Sequence, residues 1–442
     1  MALPIRSLPS VTFKDTFCSS PWFHMRITNS GTYEPCRWMT KNHGNRINFD
    51  SNIKSKSPKD YFQTDMADLR QQLLDGQAPD MCQDCYVMEK HNKPSGRQRQ
   101  LLKVGVQLDY FEKNLAGSTL RPAFDYSNNN QGHTDRLASD WQIDLGNYCN
   151  GACVFCGPES SSTLATEFKK LGLSDTIPPS SWCDDPELLN QFVDTLVQSP
   201  NLHYLHFLGG ETVITPGFKK ILSALIDHGL AGQTTIGFTT NLTVWSESVV
   251  ELLKQFKQVN LGMSIETLTP VNDYVRYPSK FDQTRKILDQ WVALGRQQNW
   301  LSQLRITPTC LTVHELDTVY EYAWQNKIPV ESCNFLHSPA FLRIGVLPLP
   351  LRIEAADRLR TWIAAHQVDA SEQIINTRNP AVVDQQIVQD AESYLKYLES
   401  TEDESNRLSD LVDYLKLLES NRGNSVLNYL PQYEKLFRSA GY

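Results

Sequence analysis

Three cysteines stand close together immediately after a strand-like run of the chain. The run Trp141–Leu145 is followed by Cys149, Cys153 and Cys156, which gives the spacing C-x3-C-x2-C. Three thiolates on one short loop can bind three irons of a [4Fe–4S] cluster and leave the fourth iron without a protein ligand. That open iron is what a cofactor needs in order to bind to the cluster and be reduced. The spacing therefore predicts a cluster loop at the end of a strand.

A zinc site is the alternative interpretation of these cysteines. Zinc is usually bound by four ligands that come in pairs separated by two to four residues. Three cysteines within eight residues, placed directly after a strand, do not match that arrangement. Because the neighbouring motifs agree with a cluster, we favour it over zinc and over ordinary thiols.

Length, charge and hydrophobicity narrow the class of protein. The chain has 442 residues, more than a single core usually supports, so two or three domains are expected. Its 42 Lys and Arg against 50 Asp and Glu give a net charge of −8, which argues against broad nucleic-acid binding. No apolar run approaches the ~20 residues of a membrane-spanning helix, and the N-terminus lacks the hydrophobic region of a signal peptide. We expect a cytoplasmic protein whose ten cysteines are reduced.

Four further cysteines lie in the N-terminal part of the chain. Cys18 and Cys36 flank a strand–turn–strand pattern with Gly31 in its turn, and a hairpin would bring its two ends together. Cys82 and Cys85 stand at the start of a polar, helix-like stretch. Four thiolates are enough to close a second [4Fe–4S] cluster, although two cysteine pairs also suit a structural zinc site.

Strand and helix patterns alternate through the middle of the chain. The expected strands are Trp141–Leu145, Leu202–Leu208, Thr234–Thr240, Gln258–Ile265, Leu304–Cys310 and Val330–Phe335. Helical runs follow Cys156 and lie near 216–229, 245–257, 281–297 and 314–326. Six β/α units imply a parallel sheet with helices outside, and six units cannot close as the eight-stranded barrel does. We therefore predict an α/β fold with an open, partial (β/α)6 barrel and ligands at the carboxyl ends of its strands.

Polar and glycine motifs fall at those carboxyl ends. Gly209 and Gly210 follow the second strand, where two glycines let a ligand approach the backbone closely. The adjacent Glu211 could accept a hydrogen bond from an ammonium group, although a Gly-Gly pair alone indicates only a turn. Other polar side chains follow the next two strands, and Arg276 among them could bind a carboxylate or form a surface ion pair.

The cysteine spacing, the aromatic Phe155 and the Gly209-Gly210-Glu211 sequence together resemble the radical S-adenosylmethionine (radical SAM) enzymes. The resemblance implies that the central cluster binds SAM and cleaves it to a 5′-deoxyadenosyl radical, chemistry that the protein positions. It implies that Gly209–Glu211 contact the methionine amine of SAM. It also places five further residues near SAM or the substrate: Thr240, Asn241, Ser264, Glu266 and Arg276. Glu266 stands where the family usually has the shorter Asp.

The N-terminal cysteines resemble the auxiliary-cluster module called SPASM or, when shortened, Twitch. The resemblance rests on the Cys-x-x-Pro-Trp opening at Cys18, the Gly-x4-Cys closing at Cys36 and the pair Cys82 and Cys85. It implies a second, auxiliary [4Fe–4S] cluster. Because such relatives commonly modify peptides or proteins, it also implies a substrate of that kind. In most relatives this module follows the radical SAM core, whereas here it precedes the core.

The remaining cysteines and polar stretches carry weaker signals. Cys183 is interpreted as a free thiol, Cys310 and Cys333 as core residues, and Tyr148 as a packing residue. The basic stretch 86–104, which contains Arg97, predicts either a solvated helix face or a contact with an acidic substrate. Residues 113–138, rich in Asn and Gly, predict a linker.

The C-terminal quarter predicts two amphipathic helices, because Tyr394–Ser400 and Tyr414–Ser420 are near copies joined by an acidic turn. These helices could cover the open edge of the barrel, bind a peptide or dimerise. We thus expect an auxiliary-cluster module over 1–112, a linker over 113–138, a radical SAM core over 139–345 and a helical region over 346–442.

The predicted function is reductive cleavage of SAM to modify a peptide or protein substrate, in an oxidoreductase served by a flavodoxin- or ferredoxin-like electron donor. Neither a membrane nor a nucleic acid is expected as a partner. The alternatives are a small-molecule or nucleotide substrate, or a protein that binds iron–sulfur or zinc without catalysis.

Overall fold

A single sheet runs through the molecule. The computed structural model describes residues 16–39, 51–90, 95–103, 120–174, 181–331, 336–366, 368 and 382–442. The strands are β1 (His24–Ile27), β2 (Tyr33–Glu34), β3 (Asp140–Asp144), β4 (Tyr204–Leu208), β5 (Thr235–Thr240), β6 (Gln258–Ser264), β7 (Leu301–Arg305) and β8 (Val330–Glu331). Their order in the sheet is β2-β1-β3-β4-β5-β6-β7-β8.

Helices connect the strands and cover the outer face of the sheet. The described helices are α1 (Pro58–Asp60), α2 (Ala67–Leu74), α3 (Gln83–Lys90), α4 (Gly96–Lys103), α5 (Arg121–Asn129), α6 (Ser162–Lys170), α7 (Pro186–Val197), α8 (Pro216–Asp227), α9 (Glu247–Leu253), α10 (Val271–Val275), α11 (Phe281–Gln297), α12 (Leu316–Asn326), α13 (Leu349–Ala365), α14 (Val383–Ser400), α15 (Leu408–Arg422) and α16 (Glu434–Ser439). No helix among the described residues is long and apolar enough to cross a membrane.

The strands β3 to β8 confirm the predicted open barrel, because all five neighbouring pairs are parallel. The predicted position of β7 is wrong: this strand begins at Leu301, three residues before the expected start. It ends early because the Thr307 N–H donates to the Glu266 carboxylate at 2.7 Å and Pro308 has no N–H to donate. Of the expected last strand, residues 332–335, with Cys333, lie outside the described residues.

The N-terminal hairpin joins the same sheet. β1 pairs in parallel with β3 over four residue pairs, from His24 opposite Asp140 to Ile27 opposite Ile143, and it pairs antiparallel with β2. Gly31, with φ of +84°, supplies the turn between β1 and β2. The expected hairpin is therefore present. Its first strand also extends the barrel as a seventh parallel strand, a pairing with β3 that the sequence did not indicate.

The two faces of the strands differ in polarity. Trp141 of β3 packs edge-on against Phe192 of α7, with ring centroids 5.3 Å apart, so this face contacts the helices. Polar residues of β3 lie on the opposite face, where the Asp140 carboxylate is 2.7 Å from His24 Nδ1. On the same face Arg26 of β1 donates to Asp144 at 2.6 Å. The apolar core thus lies between sheet and helices, and the barrel interior is polar.

The predicted linker contains structure. Residues Arg121–Asn129 form helix α5, whose Phe124 packs against Trp22 with ring centroids 5.0 Å apart. The Trp22 indole donates to Ser127 at 2.9 Å. The expectation of a loop is therefore wrong for α5, because apolar side chains inside a polar stretch reach the N-terminal core. The four segment boundaries themselves stay predictions.

The C-terminal region is helical, as expected. Helix α14 packs on α12, α13 and the edge strand β8. Helix α15 lies instead beside the loop that carries Cys149, Cys153 and Cys156, since its Tyr414 hydroxyl donates to the Val154 carbonyl at 3.0 Å. The two similar segments, Tyr394–Ser400 in α14 and Tyr414–Ser420 in α15, therefore lie in helices that pack against different parts of the molecule.

Candidate active site

The cluster loop follows β3 at the carboxyl edge of the sheet. Within it, the Cys153 and Cys156 thiols are close enough to share a hydrogen bond, and Cys149 lies close enough to interact electrostatically with both. Burial raises the pKa of the Cys149 thiol to about 11. The structure thus brings the three predicted ligands together, and three soft thiolates on one loop are a donor set that iron–sulfur clusters use.

The start of helix α6 holds the first half of this loop. Ser161 Oγ donates to the Gly151 carbonyl at 2.5 Å, and Thr163 Oγ1 donates to the Cys149 carbonyl at 2.7 Å. The Cys149 N–H in turn donates to Ser162 Oγ at 3.2 Å. From the sequence, the run Ser160–Thr163 predicts only the start of the helix that follows Cys156. A run of hydroxyls directly after a cysteine loop is the signal that could have indicated this role.

The Gly-Gly turn after β4 lies against the same loop. The Gly210 N–H donates to the Gly146 carbonyl at 2.7 Å, and the Glu211 N–H donates to the Tyr148 carbonyl at 2.9 Å. Gly209 has a φ of +125°, and a Cβ on Gly210 would lie 2.2 Å from the Tyr148 oxygen. Both glycines are therefore required by the close approach of two backbone segments.

Glu211 is buried and already has three hydrogen-bond donors. Its Oε1 accepts from Val213 N–H at 3.2 Å and from Thr240 Oγ1 at 2.9 Å. Its Oε2 accepts from Asn241 N–H at 2.6 Å. Burial raises the pKa of Glu211 to about 7, although these hydrogen bonds act in the opposite direction. The carboxylate thus links the end of β4 to the end of β5. Its contact with the methionine amine of SAM stays a prediction.

Asn241 connects this turn to the first predicted ligand. Its Nδ2 lies 3.8 Å from Cys149 Sγ and donates to Asn150 Oδ1 at 2.9 Å. Asn150 also donates to Thr243 Oγ1 at 2.8 Å. Neither Asn150 nor Thr243 was singled out by the sequence analysis, because an isolated Asn or Thr in a loop carries no distinctive pattern. Asn241 therefore lies beside the loop, whereas Thr240 contacts Glu211. The contact of both residues with SAM stays a prediction.

Arg276 and Glu266 form a buried ion pair next to the cluster loop. Arg276 donates from Nε and Nη2 to Glu266 Oε1, at 3.1 and 2.8 Å, and the Glu266 side chain is 1% exposed. The surface ion pair considered for Arg276 is therefore wrong. The guanidinium lies 5.6 Å from the Phe155 ring centroid. Burial disfavours its charge, but Glu266 and the nearby Cys153 raise the pKa of Arg276.

Ser264 is the last residue of β6. It is half-buried and lies level with Arg305 of the neighbouring strand. Arg305 in turn pairs with Glu331 of β8 at 3.0 Å. Ser264 therefore lies at the carboxyl edge of the sheet, where the sequence placed it.

The four N-terminal cysteines also lie near one another. Cys36 is within electrostatic range of Cys18 and Cys85, and Cys82 is within range of all three. Backbone N–H donors face three of the sulfurs: the Ser20 N–H for Cys18, the Trp38 N–H for Cys36, and the Gly96 and Arg97 N–H groups for Cys85. The hairpin thus brings Cys18 and Cys36 near each other, as predicted, and Cys82 and Cys85 lie near them. Their binding of a cluster stays a prediction.

Arg97 belongs to this second site. Its side chain is 2% exposed, donates to Glu89 Oε1 at 2.9 Å and donates to the Phe17 carbonyl at 2.9 Å. The predicted solvated face is therefore wrong for Arg97, because the basic stretch turns this residue inward against Glu89.

Other residues considered from the sequence belong to neither set of predicted ligands. Cys183 is buried, with Sγ 2.9 Å from the Leu145 carbonyl, and Cys310 is fully buried, as expected for a core residue. Tyr148 is 53% exposed, so its interpretation as a packing residue is wrong. Among the described residues, no three His, Cys, Asp or Glu side chains are placed to hold a single metal ion.

The match to a known family covers the barrel. Residues 143–318, from β3 into α12, match the Radical SAM superfamily. These residues therefore form a radical SAM superfamily domain, and the expectation of a radical SAM enzyme is confirmed for this part of the chain.

Two curated relatives match a similar length of chain. The GTP 3′,8-cyclase of Streptomyces coelicolor is 25% identical over 154 residues, which are 35% of this chain and 40% of the relative. Molybdenum cofactor biosynthesis protein 1 of Mus musculus is 26% identical over 164 residues, which are 36% of this chain and 23% of the relative. The chain thus spans less than half the length of these relatives.

Solved structures with a related arrangement include one with bound AdoMet and one with a bound peptide. The match to anSMEcpe with bound AdoMet has 16% identity and a TM-score of 0.36, and it covers 50% of this chain and 60% of anSMEcpe. Streptococcus suis SuiB bound to the precursor peptide SuiA is 16% identical with a TM-score of 0.35, and covers 67% of this chain and 62% of its own. At these TM-scores neither structure informs the function of this chain.

Proposed function

We propose that this protein reductively cleaves SAM at a [4Fe–4S] cluster bound by Cys149, Cys153 and Cys156, in order to modify a peptide or protein. The observation that carries the proposal is the cluster loop itself: three thiols lie together at the carboxyl edge of the barrel, within the residues that match the radical SAM superfamily. When bound there, the cluster supplies the electron that releases the 5′-deoxyadenosyl radical.

The residues around the loop have distinct tasks in this proposal. Gly209 and Gly210 allow the bound cofactor to approach the backbone closely. Glu211 connects the neighbouring ends of β4 and β5. Arg276 holds a positive charge beside the cysteines, where it favours the thiolate form and can attract the carboxylate of SAM. Thr240, Asn241, Ser264 and Glu266 complete the polar edge at which SAM would bind.

A second, auxiliary [4Fe–4S] cluster bound by Cys18, Cys36, Cys82 and Cys85 is part of the proposal. Four thiols within electrostatic range of one another supply a closed set of ligands, so no iron is left for SAM. The N–H donors that face three of the sulfurs favour thiolates over thiols. A structural zinc site is the alternative for these four residues, although no three of the described His, Cys, Asp or Glu side chains are placed to hold a single ion.

The substrate class rests on the resemblance of the N-terminal module to SPASM/Twitch modules. A flavodoxin- or ferredoxin-like electron donor and a reducing, cytoplasmic environment complete the proposal. A nucleotide or small molecule is the second candidate substrate, because 154 residues of this chain are 25% identical to a GTP 3′,8-cyclase. A protein that binds metal without catalysis is a third possibility, which the intact Gly209-Gly210-Glu211 turn argues against.

The test compares two variants by their formation of 5′-deoxyadenosine under dithionite. Replacing all of Cys149, Cys153 and Cys156 by Ala should abolish it, whereas Cys82→Ala with Cys85→Ala should retain it without substrate. Electron paramagnetic resonance (EPR) spectroscopy verifies that the second variant keeps its central cluster. Undiminished 5′-deoxyadenosine from the triple variant would overturn the central assignment. Its loss from a double variant that keeps the central cluster would show that the two sites are not independent.

A further inference from the structure

Helix α15 contacts the cluster loop directly. Its last residue, Arg422, donates from Nη2 to the Ala152 carbonyl at 2.8 Å, and its Tyr414 hydroxyl donates to the Val154 carbonyl at 3.0 Å. These carbonyls belong to the residues immediately before and after Cys153. Side chains 270 and 260 residues further along the chain therefore contact the residues on both sides of one predicted ligand.

The opposite edge of the loop is held at the same two residues. The Ala152 N–H donates to the Tyr277 carbonyl at 2.6 Å, and the Val154 N–H donates to the Val275 carbonyl at 2.9 Å. The loop around Cys153 thus donates its N–H groups to a neighbouring backbone segment and accepts at its carbonyls from the α15 side chains. Without α15, the two carbonyls would lose the donors described here, and an unpaired buried carbonyl is unfavourable.

Arg422 is itself fixed in place. Its side chain is 2% exposed and pairs with Glu167 of α6, through Nε to Oε1 at 2.9 Å and Nη2 to Oε2 at 2.6 Å. The guanidinium also lies 4.7 Å from the Tyr277 ring centroid. Because α6 also holds the first half of the loop, Arg422 joins both halves through one rigid, planar group.

The helix has a second attachment at Glu419. Its Oε1 accepts from the Tyr274 hydroxyl at 2.7 Å and from the Val426 N–H at 2.6 Å. Its Oε2 accepts from the Tyr442 hydroxyl at 2.5 Å. The end of α15 is therefore connected both to α10, which precedes Arg276, and to the C-terminal residue.

We propose that Arg422 and Tyr414 are positioning residues for the Cys153 ligand, so that helix α15 is part of the cluster site. The inference rests on the proposed function, because it requires a cluster on Cys149, Cys153 and Cys156. Loss of the guanidinium would free the Ala152 carbonyl and leave the Glu167 carboxylate, 6% exposed, without its cation. The electrostatic potential at the cluster would then become more negative, which stabilises the oxidised form of the cluster.

The experiment compares Arg422→Met with Arg438→Met, an arginine of the same region whose side chain is 62% exposed. Both proteins are reconstituted anaerobically, and the change in the EPR spectrum on adding SAM is recorded, since only the cluster that binds SAM responds. The reduction potential of that cluster is measured by dye-mediated titration. We expect Arg422→Met to lower the potential and alter the SAM-dependent spectrum, and Arg438→Met to leave both unchanged.

Two further variants distinguish an effect of charge from an effect on the position of Cys153, and provide a test if one variant does not fold. Adding Glu167→Gln to Arg422→Met removes both charges, so the potential should recover while the altered spectrum persists. Tyr414→Phe keeps the ring that packs on Phe341, with centroids 4.8 Å apart, and removes only the hydroxyl. It therefore tests the same inference if Arg422→Met does not fold, and it should alter the spectrum without changing the charge.

The outcomes distinguish this inference from the proposed function. If the unmodified protein assembles no SAM-responsive cluster, the proposed function fails and this inference fails with it. If that cluster assembles but Tyr414→Phe and a folded Arg422→Met keep its spectrum and potential, only the positioning role is refuted.

Discussion

Replacing Gly210 with Ala tests whether the Gly-Gly turn holds the cluster loop. The new Cβ would lie 2.2 Å from the Tyr148 oxygen and 2.5 Å from the Tyr148 carbonyl carbon, whereas real Cβ contacts stay above 3.0 Å. The two backbone segments would have to separate by about 0.8 Å to reach that limit. This separation would weaken the hydrogen bonds from the Gly210 and Glu211 N–H groups to the loop, at 2.7 and 2.9 Å.

The size of the effect follows from these contacts. Overpacking costs about 1–3 kcal/mol, and each weakened hydrogen bond adds about 1 kcal/mol. We therefore expect Gly210→Ala to lose about 3–5 kcal/mol of stability and to bind less iron at the central site. Gly232→Ala is the matched control, because no heavy atom lies within 4 Å of a Cβ there.

Thermal unfolding of both variants after anaerobic reconstitution measures the difference, together with iron content and the SAM-dependent EPR signal. Gly210→Ala should unfold several degrees below Gly232→Ala and give a weaker signal. If the two variants match in midpoint, iron content and signal, the close approach of the turn to the loop does not exist in solution and the reasoning fails.

Three further predictions concern the metal sites and the buried ion pair. Anaerobic reconstitution should give about eight irons per chain by metal analysis, and about four irons with one zinc would instead favour the zinc alternative for the N-terminal cysteines. Arg276→Gln should destabilise the protein by about 3–5 kcal/mol in thermal unfolding, because Glu266 stays buried without its cation; adding Glu266→Gln should restore part of the loss. Cys183→Ala should leave the iron content unchanged, since its thiol faces the Leu145 carbonyl.

The barrel could be predicted because its signals are local. Each strand is a short apolar run, each helix has its own periodicity, and the order of the two determines a parallel sheet. The carboxyl ends of parallel strands meet at one edge, so Gly209–Glu211, Asn241 and Glu266 could be placed together without any contact being known. The error at β7 arose from a local signal as well: Pro308 was included in a strand that it cannot continue.

The rest could not be predicted because it depends on contacts between distant segments. Nothing in the sequence of β1 specifies that it pairs with β3, about 115 residues later, rather than standing in a separate module. Arg97 was expected on a solvated face, and only its pairing with Glu89 accounts for its burial. The contact between Arg422 and Ala152 could not be predicted either, because the sequence of a helix does not indicate which loop the helix contacts.

The pairing of β1 with β3 constrains what the auxiliary site can do. Cys18 precedes β1 and Cys36 follows the antiparallel β2, so both lie near the amino end of β3, whereas Cys149 follows the carboxyl end. A strand of five residues such as β3 is roughly 16 Å long. One substrate can therefore reach both sites only if it spans about that length, as an extended peptide of five residues does. If loss of the auxiliary cluster abolishes substrate binding, the substrate contacts both sites; if binding persists and only turnover falls, the auxiliary cluster transfers electrons instead.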